Sequence, residues 1–186
     1  MEITSLTHPC NYDRILDEET PQAKRIARFI ASYDYTRVLD VGCGPANYVE
    51  AMREYGISAF GVDIDERCLR SVYCFCMDLT KEPCPIKAPV VLSLEVGEHI
   101  SAQYAKRYIE FINEAEPRMV IFSAAQIGQG GDGHINCQPK SYWCTRFEWF
   151  NYTYDPHTTK ALIDYVKEDT HMGWFVNNAM VFYKNP

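Results

Sequence analysis

The sequence predicts an α/β fold in which a mostly parallel β-sheet is covered by helices on both faces. Short apolar runs such as Val90–Leu94 and Met119–Ser123 alternate along the chain with segments of helical periodicity. Strands that are apolar throughout are typical of parallel sheets buried on both faces, and alternation of strands with helices is typical of α/β domains. The first strand also runs into a glycine-rich turn, a feature common where such sheets bind ligands.

The first part of the chain is predicted to hold three helices and three strands. Ile26, Phe29 and Ile30 have helical spacing, which predicts the first helix. The turn at 42–45 ends the first strand, and Gly56 ends the helix that follows it. The predicted helices cover 22–33, 48–55 and 66–71, and the predicted strands cover 37–41, 59–62 and 73–77.

The second part of the chain continues the alternation after a loop. Prolines at positions 83, 85 and 89 make this segment a predicted loop. The predicted strands cover 90–94, 119–123 and 179–183, and the predicted helices cover 102–114, 142–150 and 158–168. Seven aromatic side chains between Tyr142 and Tyr154 are expected to lie mostly in the core.

Composition indicates one globular domain. The 186 residues are 47% hydrophobic and 23% charged, which disfavours disorder, collagen and coiled coil. Lys plus Arg number 18 and Asp plus Glu 25, so the net charge of −7 makes nucleic acid an unexpected partner. No run approaches the roughly 20 apolar residues of a membrane span, and the N-terminus does not resemble a signal peptide. We therefore expect a cytoplasmic protein without a membrane partner.

The eight cysteines are expected to be reduced thiols. Disulfides are rare in the cytoplasm, and the sequence contains no Cys-x-x-Cys pair. A zinc site formed by Cys74, Cys76 and Cys84 would have a spacing that fits no standard zinc motif, so we do not expect one.

The turn after the first strand has the form of a nucleotide-binding turn. Gly42 and Gly44 are separated by one residue and are followed by a helix, and Asp63 ends the next strand. A carboxylate at this offset suits ribose hydroxyls. Asn47 occupies the position of the third glycine of a dinucleotide fingerprint, which disfavours NAD and FAD.

Four segments resemble the successive motifs of class I S-adenosylmethionine (SAM)-dependent methyltransferases, in the order and spacing of that family. They are 38–44, 61–63, 77–79 and 92–100. The resemblance implies a Rossmann-like, seven-stranded sheet that ends in an antiparallel hairpin, with a short sixth strand near Tyr152–Tyr154. It also implies one methyltransferase domain over 1–186, with an N-terminal helical segment (1–35), a cofactor-binding half (36–123) and a substrate-side half (124–186).

The same resemblance implies that SAM is the cofactor and gives its binding residues. The methionine end of SAM would contact Asp40, Gly42 and Gly44. The ribose would be held by Asp63 and the adenine by Ile64, Met77, Asp78 and Leu79, with Asp78 facing the adenine amino group. The part of the site where the methyl donor and the methyl acceptor meet would be formed by Leu94 and Glu95.

Three residues are candidates for catalysis. Glu98 and His99 follow the fourth strand, and His134 lies in a segment rich in glycine, 128–136, after the fifth. Because this glycine-rich stretch lies at the carboxyl edge of the sheet, the segment from Gln126 to Tyr142 is expected to form part of the acceptor site and to become ordered when ligand binds. His134 is the first candidate for a base, because its pKa is naturally close to neutrality.

The segment Glu95-Val96-Gly97-Glu98-His99 also resembles the ExxEH pattern that binds a divalent metal in some relatives, among them small-RNA 2′-O-methyltransferases. Many relatives with Glu-His at this place are not metal-dependent, so we expect no metal here.

Methyl transfer to a small-molecule or glycan-like acceptor is the function that we expect from the sequence. The chain has no Asn/Asp-Pro-Pro-Tyr motif of the amino-methylating DNA enzymes. The alternatives are a metal-assisted RNA 2′-O-methyltransferase, and a non-catalytic domain that binds SAM. An NAD-dependent enzyme is a more distant alternative.

Overall fold

The computed structural model describes residues 12–167 and 173–186, which form a seven-stranded sheet in the order β3-β2-β1-β4-β5-β7-β6. The strands β1 to β5 are parallel, and β7 is antiparallel to both β5 and β6. The bounds are β1 Arg37–Val41, β2 Ser58–Asp63, β3 Cys74–Cys76, β4 Val90–Leu94, β5 Met119–Ser123, β6 Tyr152–Tyr154 and β7 Met180–Lys184. The predicted sheet, including its short sixth strand, is confirmed.

Helices cover both faces of the sheet, as predicted. They are α1 Tyr12–Ala31, α2 Asn47–Glu54, α3 Ala105–Glu114, α4 Lys140–Glu148, α5 Pro156–Val166 and α6 Gly173–Asn178. Apolar side chains of α1, α2, α5 and α6 pack with one face of the sheet, and those of α3 and α4 pack with the other. Val38 and Leu39 of β1 point into these two different cores, because successive side chains of a strand alternate.

Several predicted helix bounds need correction. The first helix begins at Tyr12 instead of position 22 and continues through Pro21, although an interior proline removes one helical hydrogen bond. The helix predicted over 102–114 begins as a short 3-10 helix, Ala102–Tyr104, before α3. The segment predicted as a helix over 66–71 is a 3-10 helix, Glu66–Arg70.

The helices of the C-terminal part differ from the prediction. The six-residue helix α6 was not predicted, and the predicted end of the preceding helix at Glu168 lies outside the described residues.

In the described ranges, none of the helices combines the length and the apolar character of a membrane span. The division of the chain at 35 and 123 stays a prediction, although strands from both sides of 123 share the one sheet.

Candidate functional site

The strand order places the candidate site where β1 and β4 lie side by side. Their connections leave in opposite directions along the sheet, since β1 continues to β2 and β4 to β5. Ligands of open α/β sheets bind beyond the carboxyl ends of the strands at such a switch point. The loops that follow β1 and β4 therefore form the two sides of the crevice.

The turn after β1 packs directly against the turn after β4. Gly42 has a φ of 79°, and the amides of Gly42 and Cys43 both donate to the carbonyl of Val62, at 2.8 and 3.1 Å. A Cβ at Gly42 would overlap the side chain of Val96. Glycine is thus required here both by the positive φ and by the close approach of the second turn.

Asp63, at the end of β2, holds the glycine turn through its carboxylate. Its Oδ2 accepts from the amide of Gly44 and its Oδ1 from the amide of Asp65, each at 2.8 Å. Because a carboxylate oxygen can accept more than one hydrogen bond, these backbone contacts are compatible with a further donor from a ligand. Asp40 is buried in β1, two residues before the turn. The ribose role of Asp63 stays a prediction.

The residues predicted to hold adenine follow β2 and β3. The side chain of Ile64 is 37% exposed next to Asp63, and the amide of Met77 donates to the carbonyl of Asp63 at 2.7 Å. The structure therefore places Ile64 and Met77 next to Asp63, and their contact with adenine stays a prediction. Leu79 is buried and packs in the core between the sheet and α3, so its contact with a ligand stays a prediction.

Asp78 has its carboxylate engaged by neighbours in the chain. Oδ1 accepts from the amide and the hydroxyl of Thr80, at 2.9 and 2.6 Å, and Oδ2 pairs with Nζ of Lys81 at 2.7 Å. Burial alone would raise the pKa of Asp78, but these bonds outweigh burial and lower it. The carboxylate is therefore held ionised in a fixed orientation before any ligand binds.

Glu95, directly after Leu94 at the end of β4, is held in an unusual conformation. Its φ is 52°, and its amide donates to the carbonyl and the hydroxyl of Ser123, at 3.0 and 3.1 Å. The amide group of Asn178 lies 3.1 and 3.2 Å from the two carboxylate oxygens of Glu95 and donates to them. Burial raises the pKa of Glu95, although hydrogen bonds from Ser123 and Asn178 oppose this. Asn178 is a site residue that no sequence signal identified.

Glu98 is fully buried in the turn after β4. Its carboxyl group shares a hydrogen bond with that of Glu95, and no other side chain of the described residues donates to it. Burial, and secondly the negative charge of Glu95, raise the pKa of Glu98 to about 8. Glu98 therefore keeps its proton at neutral pH and is buried as a neutral acid beside Glu95.

The structure brings the three predicted catalytic residues together. Nε2 of His134 lies 4.0 Å from Oε1 of Glu98, and the rings of His99 and His134 meet edge to face at 5.0 Å. One ligand atom from each of Glu98, His99 and His134 lies within 4.8 Å of the others. We refer to these three side chains as the Glu-His-His cluster. It contains the types of group that can move a proton or hold a metal ion.

Both histidines are oriented by carbonyls of the glycine-rich segment. Nδ1 of His99 lies 3.1 Å from the carbonyl of Gly133, and Nδ1 of His134 lies 3.2 Å from that of Gln129. Because a carbonyl oxygen only accepts, Nδ1 is the donor in each of these two contacts.

The glycine-rich segment is fixed to the turn after β4. The amides of Ile135 and Asn136 both donate to the carbonyl of Glu98 at 2.9 Å. In the same segment a Cβ at Gly131 would overlap the ring of His134. The side chains of Ile127, just before this segment, and of Ile135, within it, are 73% and 68% exposed.

Aromatic side chains of α4 pack against the turn after β4. Trp143 and Phe147 of α4 are fully buried, which confirms the prediction of core burial for these two residues. A Cβ at Gly97 would lie 2.6 Å from the ring of Trp143, so the ring packs directly on the backbone between Glu95 and Glu98.

Comparison with known proteins shows the fold. No protein-family model and no curated protein sequence matches this chain. A magnesium protoporphyrin IX methyltransferase from Synechocystis PCC 6803 with bound S-adenosylhomocysteine (SAH) is similar in structure, with a TM-score of 0.67 and 12% identity over 90% of this chain and 84% of that one. The sugar N-methyltransferase KedS8 from Streptoalloteichus sp ATCC 53650 gives a TM-score of 0.66 and 11% identity over 92% and 88% of the chains.

The small RNA methyltransferase HEN1 is also similar, with a TM-score of 0.65 and 12% identity. The match covers 90% of this chain but 25% of that larger chain. Together these similarities show that the chain has the fold of class I SAM-dependent methyltransferases.

Proposed function

We propose that the protein transfers a methyl group from SAM to a hydroxyl group of a small-molecule or glycan-like acceptor. The observation that carries this proposal is the contact between two turns. The turn of Gly42, next to Asp63, packs on Val96, and Glu98 and His99 follow in the same turn as Val96. A methyl donor held by the first turn would therefore lie next to the Glu-His-His cluster.

The residues present fit SAM as the cofactor. Gly42 and Gly44 present backbone without side chains, Asp63 has capacity for further donors, and Ile64 offers an exposed apolar surface beside it. SAM has a ribose and an adenine but no phosphates, which suits a turn with Asn47 at the third glycine position. The residues proposed to hold it are Asp40, Gly42, Gly44, Asp63, Ile64, Met77, Asp78, Leu79, Leu94 and Glu95. When bound, SAM supplies a methyl group on a sulfonium sulfur.

Methyl transfer from SAM requires mainly that the protein align the two reactants. The bond from sulfur to the methyl carbon breaks with its electron pair left on sulfur, while the acceptor oxygen forms a bond to that carbon and loses its proton. Alignment of the two reactants and exclusion of water supply most of the acceleration. We propose that His134, His99 and Glu98 orient the acceptor hydroxyl and promote the loss of its proton.

The charge of the acceptor side favours a neutral acceptor. Between Ala124 and Gln138 the chain has no lysine or arginine, and its only charged residue is Asp132. Nζ of Lys140, just beyond, is engaged by the carbonyl of Ala179 at 3.0 Å. Binding of a phosphate backbone depends on cationic side chains, so this surface suits a sugar or another uncharged hydroxyl compound better than RNA.

RNA 2′-O-methylation is the second candidate, and one observation favours it. The turn after β4 places Glu98 and His99 of the ExxEH pattern side by side with His134, and HEN1, described as a small RNA methyltransferase, shares the fold. The cytoplasm is the compartment that we propose for either activity. The seven described cysteines are free thiols, which suits a reducing compartment.

The proposed function is tested by an acceptor screen with SAM labelled in its methyl group. Mono- and oligosaccharides, polyols and phenols form one set, and short single-stranded RNAs form the other. We expect label in a product of the first set, formed by the wild type and lost in Asp63→Ala. Label in RNA alone would support the second candidate. Binding of SAM without transfer to either set would indicate a non-catalytic domain.

A further inference from the structure

The geometry points to an oxidative modification site at Cys43 and Cys74, where hydrogen peroxide converts the two thiols to a disulfide. The two sulfur atoms are 3.8 Å apart, and Cys43 lies between the two glycines of the turn after β1. The inference rests on the proposed function only for its consequence, which is a change in the affinity for SAM. The disulfide itself is observed without any ligand.

The two thiols meet above Gly61 of β2. In the sheet, Gly61 pairs with Cys74 of the neighbouring strand β3. A Cβ at Gly61 would lie 2.6 Å from Sγ of Cys43 and 2.7 Å from Sγ of Cys74, which is closer than atoms pack. The absence of a side chain at Gly61 therefore leaves the room in which the two sulfurs lie side by side.

A small movement separates the two thiols from a disulfide. The S–S distance of a disulfide is about 2.05 Å, so the two sulfurs have to approach each other by roughly 1.8 Å. Cys74 is held in β3, whose backbone pairs with β2, whereas Cys43 belongs to a turn. Because turns deform more easily than paired strands, we expect the movement to occur in the turn.

Cys74 is the nucleophile of the pair. The thiol of Cys43 donates a hydrogen bond to Sγ of Cys74, and this bond lowers the pKa of Cys74 although burial opposes it. Hydrogen bonds with Cys68 and then with Cys74 raise the pKa of Cys43 well above its usual range. Since the thiolate is the form that reacts with peroxide, Cys74 reacts first and Cys43 second.

The burial of the pair determines which oxidant reaches it. Cys43 and Cys74 are 5% and 7% exposed, and Cys68 is fully buried. Hydrogen peroxide is similar to water in size, whereas glutathione disulfide is far larger than such an opening. In the reducing compartment proposed for this protein, the disulfides that do form are mostly transient and redox-sensing.

The reaction balances with hydrogen peroxide as the oxidant. The thiolate of Cys74 forms a bond to one oxygen as the O–O bond breaks, and the departing hydroxide takes the proton that Cys74 had released. The sulfur of Cys43 then attacks the resulting sulfenic acid, so that the S–S bond forms, the S–O bond breaks and the second hydroxide takes the proton of Cys43. The two sulfurs lose two electrons, and the peroxide is reduced to two molecules of water.

The disulfide would displace the turn that is proposed to hold SAM. The amide of Cys43 donates to the carbonyl of Val62 at 3.1 Å, and the amide of Gly44 donates to Asp63 at 2.8 Å. A shift of Cys43 toward β3 would disturb both contacts. We expect SAH to bind about 5- to 150-fold more weakly to the oxidised chain, and bound SAH to disfavour the disulfide by the same factor.

The modification site is tested by mass spectrometry of the full chain. The protein is reduced, freed of reductant, treated with hydrogen peroxide, blocked with iodoacetamide and digested without reduction. We expect peptides linked through Cys43 and Cys74, and no such link in Cys74→Ser or after treatment with glutathione disulfide. The control is Cys144→Ser, which replaces a half-buried cysteine of α4 on the other face of the sheet and should form the link as the wild type does.

Three results would overturn the inference. They are a link from Cys43 to Cys68, a link between two chains, and oxidation confined to the exposed Cys76. Formation of the Cys43–Cys74 link by glutathione disulfide as readily as by hydrogen peroxide would contradict the selection of a small oxidant. Circular dichroism shows whether Cys74→Ser is folded, and Cys43→Ser replaces it if it is not.

Calorimetry with SAH tests the consequence separately. Reduction should restore the affinity of the oxidised wild type, and Cys74→Ser should keep its affinity after treatment with peroxide. Equal affinities of the oxidised and reduced wild type would contradict the effect on the turn. A reduced chain that binds no SAH refutes the cofactor of the proposed function, whereas the mapped disulfide decides the modification site by itself.

Discussion

The two sides of the crevice differ in how their buried acids are satisfied. On the side of β1 to β3, Asp63 accepts from two backbone amides, and Asp78 accepts from Thr80 and pairs with Lys81. On the side of β4 and β5, Glu98 is fully buried and shares a hydrogen bond with Glu95, and Glu95 is held at a φ of 52°. Both sides place carboxylates at the carboxyl edge of the same sheet.

This difference separates two kinds of site. The first side is preorganised by the chain itself, so a ligand there adds contacts to groups that are already oriented. The second side carries a buried acid whose pKa is raised to about 8 and a residue in a sparsely populated conformation, which are features that cluster at functional sites. We interpret the first side as the cofactor site and the second as the place of acceptor activation.

The largest expected effect separates turnover from cofactor binding. With an acceptor in hand, His134→Ala should lower turnover by roughly 10²- to 10⁴-fold, because the acceptor loses the group that promotes departure of its proton. The affinity for SAH should not change, since His134 lies in the Glu-His-His cluster. The measurement pairs steady-state kinetics with calorimetry, and His157→Ala is the matched control. An equal loss of SAH affinity would show that the two sides are one site.

The next effect is expected at the cofactor side. Asp63→Ala removes the acceptor of two backbone amides and of the proposed ribose hydroxyls, which should cost about 1–3 kcal/mol of SAH binding, or roughly 5- to 150-fold in affinity. Calorimetry measures this change. The control is Asp132→Ala, which replaces an exposed acid of the glycine-rich segment. Unchanged affinity in a folded Asp63→Ala would contradict the assignment of this side.

The smallest effect concerns the contact between the two sides. Gly42 and Gly56 have nearly the same φ, 79° and 78°, but only at Gly42 would a Cβ meet another residue, namely Val96. Alanine at either position has the same backbone strain, so the difference in unfolding free energy between the two variants isolates the contact. We expect Gly42→Ala to be less stable than Gly56→Ala by about 1 kcal/mol. Equal stabilities in urea denaturation would show that the two turns pack loosely.

The sequence predicted the cofactor side better than the acceptor side, for a physical reason. Gly42, Gly44 and Asp63 belong to a local pattern of strand, turn, helix and strand, and this pattern itself determines that the three meet. The sheet and the short strand Tyr152–Tyr154 followed from the alternation of elements and from the resemblance.

Contacts between distant loops could not be predicted in the same way. The separation of His134 from Glu98 depends on the path of the glycine-rich segment, and that of Asn178 from Glu95 depends on α6, which was not predicted. No periodicity or motif reports such distances. The start of α1 was misplaced because the prediction rested on the spacing of Ile26, Phe29 and Ile30 alone, whereas the helix begins at Tyr12 and continues through Pro21.

The central claim is that the crevice beyond β1 binds SAM and that the turn after β4 then acts on an acceptor. Its most direct test is calorimetric titration of the wild-type chain with SAH and, separately, with NAD⁺. Our account predicts saturable binding of one SAH per chain and no detectable binding of NAD⁺. Tight binding of NAD⁺, or the absence of SAH binding by the folded protein, would contradict it.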